Sequence, residues 1–385
     1  MRLQGRLDLR DHLRRATNVL MAGSIFIVLH DFSLGGTERI CLRLARRWAK
    51  LDRTVTIFCG NEQGPLRALA GGDVRIVAAK PAIARGSGSR LALARSAAAF
   101  LKQNPADVCF IPGNYHWPVI PALARICRRD RGIIAAQISA DLRKPQRTRL
   151  RQYLFDRRMR VLLRGADGLV AMSEQAARAA KSVLPNPVRI IPLPALEDDG
   201  APPTALPQGS PVVLGAGRLV PEKGFAALIE AFARIPVTDA RLMIAGSGPQ
   251  EGRLKDQAKK LGISGKVTFL GYLEDIRPAL DGASLFVLPS KFEGFGAVVI
   301  EALAAGRPIV MTDCSPAADL VRGSDSGLVV PIDNVEALAE AMSSMIGRTR
   351  HDPARAAASV SPHRIGAAAP QYLDFFDELR RSVEH

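Results

Sequence analysis

Residues 285–302 read Leu285-Phe286-Val287-Leu288-Pro289-Ser290-Lys291-Phe292-Glu293-Gly294-Phe295-Gly296-Ala297-Val298-Val299-Ile300-Glu301-Ala302. A short apolar run without alternation, a glycine-bearing loop and a helical pattern follow one another. An unbroken apolar run suits a parallel strand covered on both faces. The loop therefore lies beyond the carboxyl end of a strand and opens a helix. Gly294 and Gly296 let the backbone approach a ligand, and the first N–H groups of the helix point outward as anion donors. Glu293 sits in the loop and Glu301 on the first turns of the helix. Two carboxylates so placed can hold the two sugars of a nucleotide sugar.

The same unit repeats on either side. Pro211–Ala216, Arg241–Ala245, Val267–Leu270, Ile309–Thr312 and Leu328–Val330 read as further strands, with helices running to Arg234 and over Gln250–Leu261, Gly296–Ala305 and Val335–Met345. Upstream, Ser24–Leu29, Val55–Cys59, Val74–Ala78, Val108–Ile111, Ile133–Gln137, Gly168–Met172 and Arg189–Ile191 alternate with helical stretches such as Thr37–Leu51, Ser89–Gln103, Trp117–Arg128 and Ser173–Leu184. Strand–helix alternation predicts doubly wound α/β domains. The Pro-, Gly- and acid-rich run 196–210 reads as a linker. The expected organisation is a basic extension (1–20), a first domain (21–195), the linker (196–210), a second domain (211–348), and a tail (349–385) ending in an amphipathic helix over Ala367–Val383. Two such domains in tandem predict a ligand cleft between them.

A second motif, Gly215-Ala216-Gly217-Arg218-Leu219-Val220-Pro221-Glu222-Lys223-Gly224, also ends a strand and opens a helix. Arg218 and Lys223 in that turn can neutralise a pyrophosphate without a metal. Gly35-Gly36-Thr37-Glu38 follows the first strand; contact with the donor and a simple tight turn account for it equally well.

Composition narrows the alternatives. The chain has 385 residues, 47% hydrophobic, with 33 Gly and 26 Pro scattered along it, which excludes a disordered or collagen-like chain. Cys41, Cys59, Cys109, Cys127 and Cys314 are widely spaced, without a CxxC, and read as free thiols. Arg2, Arg6, Arg10, Arg14 and Arg15 precede the apolar run Val19–Leu29, which imitates a secretory leader. The run enters a glycine turn without a small-residue cleavage site, and its part Ser24–Leu29 reads as the first strand. Met1 and Met21 both remain open as the start. No run approaches the roughly 20 apolar residues that span a bilayer.

Charge is uneven: residues 1–195 hold 34 Lys/Arg against 13 Asp/Glu, and residues 196–385 hold 19 against 24. The first half is expected to face something anionic. Residues 141–164 concentrate this charge. Arg143, Lys144, Arg147, Arg149, Arg151, Arg157, Arg158, Arg160 and Arg164 stand against Asp141 and Asp156, interleaved with Leu150, Tyr153, Leu154, Met159, Val161, Leu162 and Leu163. Such a helix suits an anionic membrane surface; a solvated arginine-rich helix is the plain alternative. Nucleic acid is not expected, because no recognition motif occurs and aromatics are only 5%.

Together Arg218, Lys223, Gly246-Ser247-Gly248-Pro249, Glu293 and Glu301 resemble, in order and context, the family 4 glycosyltransferases, the retaining group with the GT-B fold of two Rossmann-like domains. The resemblance covers nearly the whole chain from Met21 and is most specific between Val212 and Val330. It implies a nucleotide-diphosphate-sugar donor, held mainly by the second domain. Arg218 and Lys223 would bind the pyrophosphate, Glu301 the ribose, Glu293 with the backbone of Gly294, Phe295 and Gly296 the sugar, and Gly271 and Tyr272 the base; Gly35 and Gly36 would meet the donor from the first domain. It also implies a glycan or lipid-linked acceptor on the first domain, an envelope-glycan role at the cytoplasmic face, a tail helix crossing back to the first domain, and no cofactor. The acidic run Glu197-Asp198-Asp199 lies in the linker and not at a strand end, so no catalytic metal is expected.

One departure stands out. The family often carries a histidine near the end of Ile133–Ser139, where this chain has Gln137 and Ser139. His116, in Asn114-Tyr115-His116-Trp117 after the preceding strand, is a candidate replacement, and acceptor-binding or structural roles for it stay open. A donor-binding subunit without catalysis is the runner-up reading.

Overall fold

The computed structural model describes residues 23–139, 142, 147–346 and 351–384. The N-terminal extension, both candidate starts, and Asp141, Arg143 and Lys144 of the basic segment lie outside the described residues. The chain divides into two compact units, residues 1–194 with 365–385, and residues 195–364.

Unit 1 contains β1 (Ser24–Leu29), α1 (Gly36–Ala49), β2 (Thr54–Cys59), β3 (Arg75–Ala78), α2 (Ser89–Gln103), β4 (Val108–Ile111), α3 (Ile120–Arg129), β5 (Ile133–Ile138), α4 (Arg149–Leu163), β6 (Gly168–Ala171), α5 (Glu174–Lys181) and β7 (Val188–Ile190). Its strands form one sheet in the order β3-β2-β1-β4-β5-β6-β7. Every pairing is parallel. Ile25, Phe26, Ile27, Val28 and Leu29 are all buried, as a strand covered on both faces requires.

Unit 2 contains β8 (Val212–Ala216), α6 (Phe225–Arg234), β9 (Arg241–Ala245), α7 (Glu251–Lys260), β10 (Val267–Gly271), α8 (Arg277–Asp281), β11 (Leu285–Leu288), α9 (Ala297–Ala304), β12 (Ile309–Thr312), α10 (Ala317–Ser324), β13 (Gly327–Val330), α11 (Val335–Ile346) and α12 (Pro353–Ser359). The sheet order is β10-β9-β8-β11-β12-β13, again parallel throughout. In both sheets the strand order reverses once, between β1 and β4 and between β8 and β11. Loops diverge at such a switch point and leave a crevice outside the carboxyl ends of the strands.

Two expected boundaries differ. Residues 196–210 read as a linker by composition, but their backbone carbonyls are taken up by unit 2. Arg277 donates to the carbonyls of Ala201 and Pro202, and Arg307 to those of Thr204 and Ala205. The expected tail also splits at residue 364. α12 packs on α9 and α10 within unit 2, whereas α13 (Ile365–Glu384) packs on α1 and β5 of unit 1.

The seat of α13 is aromatic. Trp48 of α1 is fully buried, and its ring meets Phe110 at 5.3 Å, Phe376 at 5.5 Å and Tyr372 at 5.7 Å. Trp48 Nε1 donates to the Ala369 carbonyl at 3.1 Å, and the Tyr372 hydroxyl donates to Gln137 Oε1 at 2.8 Å. Gln137 is thereby a buried anchor for the last helix. Tyr372→Phe leaves that acceptor unpaired away from water, and is expected to cost about 1–3 kcal/mol. The shift in urea midpoint at constant slope measures it.

Candidate functional site

In unit 2 the switch point is framed by the loops after β8 and β11. Gly224 ends the first of these at φ 68°, and a Cβ there would lie 1.9 Å from the Pro289 carbonyl oxygen. Gly246, after β9, has φ 136°, and its Cβ would lie 1.9 Å from the Gly217 carbonyl oxygen. Three loops thus pack backbone against backbone, a contact that only glycine permits. Gly224→Ala is expected to lower the melting temperature, because overlap with the Pro289 carbonyl adds to left-handed strain of about 1–3 kcal/mol.

The packing sets the charged groups. Lys223 Nζ pairs with Glu293 Oε1, both side chains being 15% exposed. The Ser290 hydroxyl donates to the same Glu293 oxygen at 3.3 Å. The Lys291 N–H donates to the Glu222 carbonyl at 2.8 Å, tying the two loops together. Arg218 is exposed on the β8 loop. Gly296, at φ 93°, caps the start of α9, whose first N–H groups lack partners within the helix. Glu301 lies on the second turn of α9 and is partly exposed. Phe295 is buried against His363, ring centroids 5.6 Å apart, and its carbonyl accepts from the Ser315 hydroxyl at 2.8 Å. Gly271 ends β10 with φ 69°, its carbonyl accepts from the Gly246 N–H at 2.7 Å, and the exposed Tyr272 follows. The structure therefore brings Arg218, Lys223, Gly271, Tyr272, Glu293, Gly294, Phe295, Gly296 and Glu301 to one edge of one sheet.

Unit 1 holds the other candidates at its own carboxyl edge. Gly35 caps α1 in an extended conformation, followed by Gly36. The Glu38 carboxylate folds back over Gly35, where a Cβ would lie 2.1 Å from Oε2. His116 lies beneath the surface at 1% exposure, and its Nε2 accepts from the His30 N–H at 3.1 Å. Burial, with Arg85 and His30 nearby, pushes its pKa down to about 3, so the ring is neutral and its proton sits on Nδ1. That Nδ1 is buried without a hydrogen-bond partner among the described residues. At the position of the absent family histidine, Ser139 donates its N–H to Asn114 Oδ1 at 2.9 Å and accepts from the Asn114 N–H at 3.1 Å. His116 and Glu293, the two expected catalytic residues, belong to different units.

Sequence reading missed the Asp31–Arg85–Glu38 cluster and His363. Their partners are separated by tens of residues without a local motif, so no sequence signal marks them. Among the described residues no helix is long and apolar enough to cross a membrane, and no group of three or more His, Cys, Asp or Glu side chains is placed to hold a metal ion. In α4, Met159 and Leu163 turn inward, while Leu150, Tyr153, Leu154 and Val161 are exposed among Arg149, Arg151, Arg157, Arg158, Arg160 and Arg164.

Residues 35–195 match the glycosyl transferase 4-like domain, and residues 199–359 match the glycosyl transferases group 1. A lipopolysaccharide core biosynthesis glycosyltransferase, LpsE of Rhizobium meliloti, is 38% identical over 140 residues, covering 36% of this chain and 41% of the relative. The chain spans less than half the length of the curated relatives it matches first. Among solved structures, a glycosyltransferase from Rickettsia africae superposes with a TM-score of 0.74 at 17% identity, covering 93% of this chain and 98% of that one. Anabaena HepE in complex with UDP and glucose superposes with 0.73 at 19% identity, covering 92% and 99%. These likenesses establish the GT-B fold. With its two halves matching the two family domains, the chain belongs to the group 1, family 4-like glycosyltransferases.

Proposed function

We propose that the protein transfers a hexosyl residue from a nucleotide-diphosphate sugar, a UDP-sugar first of all, to a glycan or lipid-linked acceptor of the bacterial envelope, with retained configuration and without a metal. The observation that carries this reading is the meeting of Lys223 and Glu293 at the unit 2 switch point, beside Arg218 and the open start of α9. UDP and glucose in the HepE complex support the donor class, and the role named for LpsE supports an envelope glycan.

In this reading Arg218 and Lys223 bind the pyrophosphate, Glu301 the ribose, Gly271 and Tyr272 the base, and Glu293 with the amides of Gly294–Gly296 the transferred sugar. Departure of the nucleoside diphosphate builds negative charge on the leaving oxygen and positive charge on the sugar. Fixed cations and helix N–H groups need no reorganisation to meet the first. Lys223, released from Glu293 by an incoming pyrophosphate, frees that carboxylate to face the sugar. Gly35 and Gly36 supply backbone N–H groups, and His116 offers its unpartnered Nδ1–H to a sugar hydroxyl. Retained configuration is what the resemblance to the family implies, and the proposal adopts it.

The exposed stripe of α4 would rest on an anionic membrane at the cytoplasmic face, with Leu150, Leu154 and Val161 entering the headgroup region and the arginines meeting lipid phosphates. Leu154→Asp with Val161→Asp is expected to weaken binding to vesicles of phosphatidylcholine and phosphatidylglycerol about tenfold or more, read by co-sedimentation. Pure phosphatidylcholine should bind poorly in either case.

The central test incubates the full chain with UDP-, GDP- and ADP-sugars under chelator, reading thermal shift and nucleotide release with membrane extracts. A donor that stabilises the wild type, fails to stabilise Glu301→Ala, and yields nucleoside diphosphate supports the proposal. Absence of any stabilising donor refutes it. Gln137 and Ser139 are both engaged internally, which favours a donor-binding subunit as the second reading; stabilisation without release would select it.

A further inference from the structure

The loop between β11 and α9 rests on the residues that follow β12, with contacts at its entry, its middle and its exit. The Thr312 hydroxyl, at the end of β12, donates to the Ser290 carbonyl. The Glu293 N–H donates to the Cys314 carbonyl at 3.4 Å. The Ser315 hydroxyl donates to the Phe295 carbonyl at 2.8 Å and accepts from the Ala317 N–H, at the start of α10, at 3.3 Å. All of these residues belong to unit 2. Pro316 disfavours helical backbone at the residue before it, so the direction from which Ser315 reaches the loop is preset.

The exit contact controls more than the carbonyl it touches. The peptide between Phe295 and Gly296 is planar and trans, so its C=O and N–H point to opposite sides. Holding the Phe295 carbonyl toward Ser315 therefore aims the Gly296 N–H away from Ser315. The Phe295 ring is buried against His363, which fixes the residue and leaves rotation of the peptide plane as the remaining freedom. Gly296 sits at φ 93°. A glycine takes positive and negative φ about as readily, so its own backbone does not resist a flipped plane. The Ser315 hydroxyl selects one orientation. A carbonyl that accepts a hydrogen bond also polarises its peptide, which makes the N–H at the other end a better donor.

We infer that Ser315 is a positioning residue for the transfer: through the Phe295 carbonyl it holds the Gly296 N–H on the donor's transferred sugar. It touches no donor atom itself. The inference rests on the transferase reading, in which the amides of Gly294–Gly296 meet that sugar. An amide aimed at charge that develops during departure acts chiefly in the transition state. The base, ribose and pyrophosphate are held in that reading by other residues, so turnover carries the loss and donor binding does not.

The test uses the full chain and whichever of the UDP-, GDP- and ADP-sugars stabilises the wild type. Ser315→Ala is expected to lower kcat about tenfold while KM for the donor and the donor-induced thermal shift stay close to wild type. Ser315 is partly exposed, so Ser315→Thr has room for its methyl group, keeps the hydroxyl and is expected to recover most of kcat. Ala317→Gly loosens the start of α10 without touching the Phe295 carbonyl, and is expected to lower the melting temperature with kcat unchanged. A second readout needs no turnover. Phe295-Gly296 is the one Phe–Gly pair in the sequence, so NMR of protein labelled at phenylalanine carbonyl carbons and glycine nitrogens reports the Gly296 amide alone. Its signal is expected to move or split in Ser315→Ala, to return in Ser315→Thr, and in the wild type to shift when the donor is added. A Gly296 signal indifferent to Ser315 or to the donor would overturn the positioning role. So would an unchanged kcat in Ser315→Ala, no recovery in Ser315→Thr, or an equal loss of kcat in Ala317→Gly. In each of these cases donor binding and nucleotide release by the wild type leave the transferase reading standing. A wild type that binds no nucleotide sugar removes that reading, and this role with it.

Discussion

Lys223→Ala is expected to lower kcat/KM for the nucleotide sugar by about 10²–10³-fold, the scale seen when one preorganised charge-stabilising donor is removed. Lys223 is largely buried and already fixed by Glu293, so little ordering cost remains when it turns to a pyrophosphate. The alanine variant loses that cation and also leaves Glu293 with Ser290 as its sole described side-chain partner. Glu293→Gln removes the charge of the partner instead. If the pair acts as one device, the double variant will be far less impaired than the product of the single effects. If the pair only ties two loops together, both single variants will lose activity in proportion to melting temperature. Lys223→Arg then decides: it restores a cation and is expected to recover part of the turnover.

The largest effect on stability is expected at Arg307. Its side chain is fully buried and, among the described residues, hydrogen-bonds to no carboxylate. Nε donates to the Ala305 carbonyl at 3.2 Å and Nη1 to the Ala283 carbonyl at 3.0 Å. Nη2 donates to the Thr204 carbonyl, to its hydroxyl oxygen at 2.9 Å and to the Ala205 carbonyl at 3.2 Å. Burial lowers its pKa, and Asp281 partly counters this. Arg307→Met keeps much of the stem's volume but leaves these acceptors unpaired. A loss of about 3–5 kcal/mol is expected, as when one partner of a buried charged contact is deleted. Urea unfolding measures it. Limited proteolysis should then cut within 196–210, because that run is held chiefly through its carbonyls. Resistance of the variant to both would remove Arg307 as the anchor.

Local pattern carried most of the fold. Unbroken apolar runs ending in glycine turns marked the strands, since a strand covered on both faces has no polar side to show. α8, α10 and α12, of five, eight and seven residues, escaped notice. The 196–210 run misled because composition reports side chains, whereas this segment is fixed by its backbone through arginines supplied more than 70 positions later. In the site, Arg218, Lys223, Glu293 and Glu301 were legible because each lies at a fixed offset from a strand end. The Lys223–Glu293 pairing was not, since it depends on how two loops approach across the switch point. Nor was the depth of His116: its position after β4 could be read, but burial beneath Tyr115 depends on distant chain. Arg85 reaches Asp31 from 54 residues away, and nothing local announces it.

α13 gives the protein an unusual order of assembly on the ribosome. Unit 2 is contiguous and is completed in synthesis while unit 1 still lacks its closing helix, so Trp48 and Phe110 emerge early and wait for Tyr372 and Phe376. Residues translated early thus depend on some of the last, and a premature stop after residue 364 would spare unit 2 while leaving the first unit with an uncovered aromatic seat, a surface that holdase chaperones and proteases recognise.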